Sequence, residues 1–137
     1  MQKTITIRGV VESGRRLGRT LGFPTANVHP DAEACRVAAG VWLARVAVVG
    51  GERYWGLVNV GWRPTVENET ADDGRMCKAE AWLFDFEGDL YGREIEIEPV
   101  RFLRSESRFR SLDELRRAIE QDKQDALNII ERDEFTL

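Results

Sequence analysis

The sequence has few of the residues on which metal and disulfide chemistry depend. It contains two cysteines, Cys35 and Cys77, and one histidine, His29. No Cys-x-x-Cys pair occurs, which argues against a structural zinc site. Because the cysteines have no paired spacing, we expect both to be unreactive free thiols in a reducing compartment.

Long apolar runs are missing as well. No run reaches the roughly 18 residues of a membrane-spanning helix, and the first nine letters, MQKTITIRG, lack the apolar core of a signal peptide. A net charge of −4 disfavours general attraction to nucleic acid or to an anionic membrane. We therefore predict a cytoplasmic protein that binds neither nucleic acid nor membrane. We also expect a monomer, although no sequence feature specifies the oligomeric state.

Positive charge is concentrated near the N-terminus of this acidic chain. Residues 1–20 carry five basic side chains against one acidic side chain, Glu12. Within this segment lies GRRLGRT, residues 14–20, which lacks the spacing of a P-loop. Its glycines would let backbone N–H groups approach an anion, and its arginines are charged donors. A local anion site and an ordinary turn with a solvated surface both remain open.

Most of the first 104 residues have the composition of β-strands. Residues 4–11, 40–49, 52–61 and 78–86 are rich in β-branched and aromatic residues. Gly50-Gly51 joins the second and third runs, which is typical of a hairpin. Short strands joined by turns in a chain of 137 residues favour one small antiparallel barrel or sandwich.

The C-terminal part of the chain has a helical pattern instead. The last strand contains EIEIE, and Pro99 should break or bulge it. In SLDEL, Ser111 and Glu114 have the spacing of a capping box. Apolar residues then recur at helical spacing, so we predict a helix over about residues 112–131 that packs on the sheet.

The motif FPTAN combines a rigid residue with two neutral oxygen ligands. Pro24 stiffens the chain, and Thr25 and Asn27 would point the same way from an extended segment. A hydroxyl and an amide oxygen suit Mg²⁺ when phosphates supply the negative charge. The other interpretation is that both side chains bond to their own backbone in a turn.

Two further stretches carry groups that could act on a ligand. In KAEAWLFDF, strand alternation places Glu80 on the face of Trp82, so its carboxylate is either a solvated rim group or a positioned proton acceptor. In FLRSESRF, Arg104, Arg108 and Phe109 could close over a flat ligand. That segment can equally be a plain strand-to-helix connector.

In order and spacing, these motifs resemble the riboflavin kinase (flavokinase) family, including the kinase module of bifunctional bacterial FAD synthetases. The similar segments are GVVESGRRLGRTLGFPTAN, GVWLARV, NVGWRPT, AEAWLFDFEGDLYG and FLRSESRFRSLDEL, which together extend over about residues 8–127. The resemblance implies a mainly β fold, a closed six-stranded antiparallel Greek-key barrel over about residues 4–104 followed by the C-terminal helix. Residues 1–137 would form a single riboflavin kinase domain.

The resemblance also implies an activity and a set of site residues. The reaction is transfer of the γ-phosphate of ATP to the riboflavin 5′-hydroxyl with Mg²⁺, which gives FMN and ADP. By position, Glu80 matches the catalytic carboxylate, and Thr25 and Asn27 match the pair that binds magnesium and nucleotide. The remaining matches are Gly14 and Arg19 in the flap over the phosphates, Tyr91 on the nucleotide side, and Arg104 and Phe109 in the flap that closes on the flavin.

The chain departs from the family pattern next to the catalytic position. Many members have histidine two residues after the catalytic glutamate, where this chain has Trp82. A flavin-binding module of the same fold without kinase activity is therefore the alternative. The 137 residues leave no room for a preceding nucleotidyltransferase domain, and Met1 shortly before the first strand favours a stand-alone enzyme over an excised module. Both remain open.

Overall fold

The strands form one sheet that nearly closes on itself. The computed structural model describes residues 5–12, 25–64 and 75–137. The elements are β1 (Ile7–Val10), β2 (Thr25–Val28), α1 (Ala32–Ala38), β3 (Gly40–Val48), β4 (Arg53–Pro64), β5 (Arg75–Leu83), β6 (Glu94–Arg104) and α2 (Leu112–Arg132). The six strands pair in the order β1–β6–β3–β4–β5–β2, and every pair is antiparallel.

Within the described residues, one isolated bridge joins the two ends of this sheet. The Glu12 N–H donates to the Asn27 carbonyl oxygen at 2.7 Å, directly after β1 and within β2. With β2 and β6 flanking the β3–β4–β5 meander, the sheet is a nearly closed antiparallel barrel with a C-terminal helix. The predicted fold class is confirmed.

Alternate residues of each strand fill the barrel. Val58 and Val60 of β4 and Ala79 and Ala81 of β5 are fully buried in the interior cluster. Small and β-branched side chains suit this interior because a small barrel leaves little room between facing strands. The residues between them, which include Glu80, therefore lie on the outer face of the barrel.

Helix α2 covers part of that outer face. Ile119 and Ala126 pack there with Leu43 of β3, Leu57 of β4 and Phe84 after β5, in a second apolar cluster. The helix begins as predicted, because the Ser111 Oγ accepts a hydrogen bond from the Glu114 N–H at 3.1 Å.

The hairpin and the strand irregularity were predicted correctly. Gly50, with φ of 79°, lies in the turn between β3 and β4, a conformation that glycine adopts without strain. The register of β6 against β3 shifts between Leu43, opposite Arg101, and Ala44, opposite Pro99. The extra residue of this β-bulge is Val100, directly after Pro99, which cannot donate a ladder hydrogen bond.

Helix α1 and the state of the cysteines differ from expectation. Asp31 caps α1 by accepting from the Ala34 N–H at 3.2 Å. The helix places Cys35 against Cys77 of β5 with a Cα–Cα distance of 5.8 Å, and the two form a disulfide. The prediction of free thiols is therefore wrong. The pairing joins residues 42 apart in sequence through tertiary packing, so the spacing of the cysteines gave no sign of it.

Neither helix of the described residues has the length and apolarity needed to cross a membrane.

Candidate active site

A row of polar side chains crosses the outer face of the barrel. Asn27 of β2 is opposite Glu80 of β5, and Glu80 is opposite Asn59 of β4. Directly opposed residues of neighbouring strands project from the same side of a sheet. Thr25, two residues before Asn27, projects from that side too. We call Thr25, Asn27, Glu80 and Asn59 the polar row.

The polar row is largely shielded from solvent. Asn27 is only 5% exposed, and the Glu80 side chain is 25% exposed. The Asn59 Oδ1 atom is buried and has no hydrogen-bond partner among the described residues. A carboxylate between two carboxamides, partly out of water, has the setting of a group that receives a ligand rather than of a solvated rim residue.

Two cations stand beside the Glu80 carboxylate. Lys78 Nζ lies 3.7 Å and Arg63 Nη2 lies 3.8 Å from Glu80 Oε1. Neither distance is that of a hydrogen bond. These cations therefore attract the carboxylate without occupying its hydrogen-bonding lone pairs, so they leave it able to accept a proton from a hydroxyl.

The connector after β6 reaches this cluster through Glu106. The Glu106 Oε2 lies 2.8 Å from Arg63 Nη2, the same guanidinium nitrogen that faces Glu80. A Cβ added to Gly61 would overlap the Glu106 carboxylate. The missing side chain of Gly61 thus makes room for the connector to approach β4 beside the polar row.

Arg104 and Phe109, predicted to close on the flavin, are brought together. The Arg104 guanidinium lies 5.7 Å from the centre of the Phe109 ring, within the range of a cation–π contact. Arg104 is opposite Val41 of β3, which is in turn opposite Asn59. The pair therefore lies two strands away from Asn59 on the same face of the sheet.

Asp122 of α2 fixes the Arg104 guanidinium. Arg104 Nε and Nη2 donate to the two Asp122 carboxylate oxygens at 2.9 and 2.8 Å, and Asp122 is 5% exposed. Asp122 was not among the residues predicted from the sequence. Its spacing from Ile119 and Ala126 puts it on the buried stripe of the helix, and an acidic residue on such a stripe signals a buried partner.

Tyr91 lies on the turn between β5 and β6 and is 65% exposed. Its N–H donates to Asp89 Oδ1 at 2.8 Å. The next residue, Gly92, donates its N–H to the Val11 carbonyl oxygen at 2.9 Å. This ties the turn to the segment that closes the barrel at Asn27. Gly14 and Arg19 lie outside the described residues.

The departure at Trp82 has a structural explanation. Trp82 is opposite both Thr25 and Leu57, and its ring packs against the apolar cluster under α2. The indole therefore borders the polar row and extends the surface on which the helix rests.

The donor set at β2 fits magnesium. Thr25 and Asn27 offer a hydroxyl and an amide oxygen on one side of β2, with the Glu80 carboxylate opposite Asn27. Hard oxygen ligands of this kind suit Mg²⁺, which keeps several waters and needs few protein ligands. The described parts of the chain contain no cluster of three or more His, Cys, Asp or Glu residues that could hold a metal ion.

Three further residues of the site were not predicted, although the sequence contains their pattern. Asn59, Gly61 and Arg63 alternate along NVGWRPT, and the structure places all three around Glu80 or its ion-pair partner. Polar and glycine positions at period two on a strand are a readable signal of a functional face.

Fold and site together define a small antiparallel barrel protein with a carboxylate-centred polar row beside its C-terminal helix. The chain belongs to the riboflavin kinase family, whose model (Flavokinase: Riboflavin kinase) matches residues 1–130. The recognition made from the motifs is therefore confirmed.

One curated relative carries riboflavin kinase in its name, and one similar solved structure carries a different name. The chain is 40% identical over 121 residues to the bifunctional riboflavin kinase/FMN adenylyltransferase of Bacillus subtilis, covering 88% of this chain and 37% of that protein. A crystal structure of a Streptococcus pneumoniae protein named as a macrolide-efflux protein has a TM-score of 0.72 and 27% identity, covering 91% of this chain and 39% of that one.

A riboflavin kinase from Trypanosoma brucei has the same fold. Its TM-score is 0.59 at 24% identity, with 92% of this chain and 79% of that chain covered. The chain thus spans less than half the length of the Bacillus subtilis relative and most of the trypanosomal one.

Proposed function

We propose that the chain transfers the γ-phosphate of ATP to the 5′-hydroxyl of riboflavin, giving FMN and ADP. The observation that carries this proposal is the position of Glu80, half-shielded between Asn27 and Asn59 on the polar row. Membership of the riboflavin kinase family supports the same reaction.

In this mechanism Glu80 is the proton acceptor. Phosphoryl transfer through a loose transition state needs a positioned nucleophile and neutralised charge more than covalent chemistry. Glu80 orients the hydroxyl and takes its proton as the bond to phosphorus forms. Lys78 and Arg63, within 3.8 Å of the carboxylate, hold it in place for this step.

Thr25 and Asn27 are the residues that would hold Mg²⁺ and the nucleotide. Bound Mg²⁺ would neutralise phosphate charge. Because both oxygens are neutral, the phosphates themselves supply the negative charge that the ion needs. The family resemblance implies that Gly14 and Arg19 would cover the phosphates and that Tyr91 would lie on the nucleotide side.

Arg104 and Phe109 would receive the flavin ring. The cation–π contact between them holds a charge at the end of β6 against a flat aromatic surface shortly before α2. A planar ligand can stack on such a pair. Asp122 acts indirectly, by fixing the direction of the guanidinium.

The remaining expectations stay predictions. These are a monomer, a cytoplasmic location and a single domain over residues 1–137. The disulfide between Cys35 and Cys77 removes the thiol argument for a reducing compartment. A flavin-binding module without kinase activity is less favoured, because a binding protein has no need for a carboxylate poised as Glu80 is.

The experiment is to incubate the protein with riboflavin, ATP and Mg²⁺ and to separate the products by chromatography. We expect FMN and ADP in equal amounts. Tight flavin binding with no ATP-dependent product under any divalent metal would exclude the kinase and select the binding module.

A further inference from the structure

Asn59 is the one residue of the polar row to which the proposed mechanism assigns no role. Its Oδ1 is buried and has no hydrogen-bond partner among the described residues. An unmet buried acceptor is costly, and native proteins keep few of them. Such an atom in a ligand site is explained most simply by a donor on the ligand.

The position of Asn59 indicates which part of the ligand it meets. On one side it is opposite Glu80, where the reacting hydroxyl would lie. On the other side, Val41 separates it from Arg104, whose guanidinium faces the Phe109 ring. Neighbouring strands are about 4.8 Å apart. Asn59 therefore lies along the path that joins the flavin ring to the terminal hydroxyl.

The chemistry of Asn59 Oδ1 also limits which group of the ligand can bond to it. An amide oxygen only accepts hydrogen bonds. Phosphate oxygens at neutral pH are chiefly acceptors and cannot satisfy it, whereas a hydroxyl donates. The chain between the flavin ring and its reacting end is a polyol with several hydroxyls.

We propose that Asn59 Oδ1 accepts a hydrogen bond from an internal hydroxyl of the polyol chain of the acceptor substrate, and so selects flavins that carry this chain. The inference rests on the proposed function for the identity of the acceptor. Asn59 binds the substrate next to Glu80 and fixes how far the terminal hydroxyl reaches.

The test compares two flavins and two variants in the presence of ADP and Mg²⁺, so that no turnover occurs. Riboflavin carries the polyol chain, and lumiflavin carries a methyl group in its place. Asn59→Leu removes the acceptor at similar volume. Asn128→Leu, at an exposed position of α2, removes a carboxamide away from the row and serves as the control.

We expect Asn59→Leu to raise the Kd of riboflavin about 10-fold, the value of one lost hydrogen bond, as measured by quenching of flavin fluorescence. The Kd of lumiflavin should not change, and Asn128→Leu should alter neither of the two dissociation constants. Equal weakening of both flavins, or an unchanged Kd of riboflavin, would overturn the proposal.

Two further measurements keep the result unambiguous. Circular dichroism checks that Asn59→Leu is folded, and Asn59→Val, which suits a strand, replaces it if it is not. Failure of the inference is separate from failure of the function. An unmodified protein that binds riboflavin but makes no FMN contradicts the kinase, whereas FMN synthesis with an unchanged Kd in Asn59→Leu contradicts only the role of Asn59.

Discussion

Replacement of Arg104 by methionine tests how the barrel and its helix hold the flavin side of the site. Asp122 is 5% exposed, and its carboxylate receives two hydrogen bonds from Arg104, at 2.9 and 2.8 Å. Arg104→Met removes both donors and leaves a buried carboxylate with no compensating charge from β6.

The expected loss of stability follows from this geometry. Removing one partner of a fully buried ion pair costs about 3–5 kcal/mol. The Arg104 side chain is 28% exposed, so water can reach the carboxylate once the guanidinium has gone, and we expect a loss of about 2 kcal/mol. Asp122→Asn keeps the shape and one acceptor, and should cost about 1 kcal/mol.

Urea unfolding measures these differences as shifts of the midpoint at constant slope. The control is Arg116→Met, which removes an exposed ion pair: Arg116 and Asp113 are 3.7 Å apart, and their side chains are 47% and 76% exposed. This variant should change stability by less than about 0.5 kcal/mol. The double variant Arg104→Met with Asp122→Leu should recover part of the loss. The reasoning is refuted if Arg104→Met costs no more than Arg116→Met.

The other predictions concern metal binding, packing and the disulfide. Asn27→Ala should raise the KM for ATP–Mg²⁺ and lower kcat, and unchanged kinetics would remove Asn27 from the nucleotide site. Gly56→Ala would place a Cβ 2.5 Å from the Trp82 carbonyl oxygen, so it should lower the free energy of unfolding in urea by about 2 kcal/mol. The control Gly51→Ala should leave stability nearly unchanged. Equal losses in the two variants would contradict the predicted overlap at Gly56. Thiol titration of the unfolded, unreduced protein should find no reactive thiol, and reduction of the bridge across 42 residues should lower stability by about 4 kcal/mol. Two titratable thiols before reduction would exclude the disulfide.

Local patterns predicted the parts of the fold that depend on neighbouring residues. The period of two in KAEAWLFDF predicted that Ala79 and Ala81 share one face of the strand and that Glu80 lies on the other. In the structure Ala79 and Ala81 are buried in the barrel, and Glu80 is not buried. The capping pair Ser111 and Glu114 located the start of α2. These features are set by backbone geometry within a few residues, so the sequence carries them directly.

Features that depend on register between distant strands could not be predicted from local patterns. The opposition of Asn59 and Glu80 arises from the pairing of β4 with β5, and the role of Asp122 from the packing of α2 beside Arg104. The seven-residue α1, which carries Cys35, is too short for a periodic signal. Its disulfide partner is known only once the helix lies against β5.

The central claim is that Glu80 accepts the proton of the phosphorylated hydroxyl. The most direct measurement is the single-turnover rate of FMN formation by the unmodified protein, Glu80→Gln and Glu120→Gln, the last at an exposed position of α2. We predict that Glu80→Gln slows FMN formation about 10²-fold or more with unchanged riboflavin binding, and that Glu120→Gln matches the unmodified protein. FMN formation by Glu80→Gln at the unmodified rate would contradict the account.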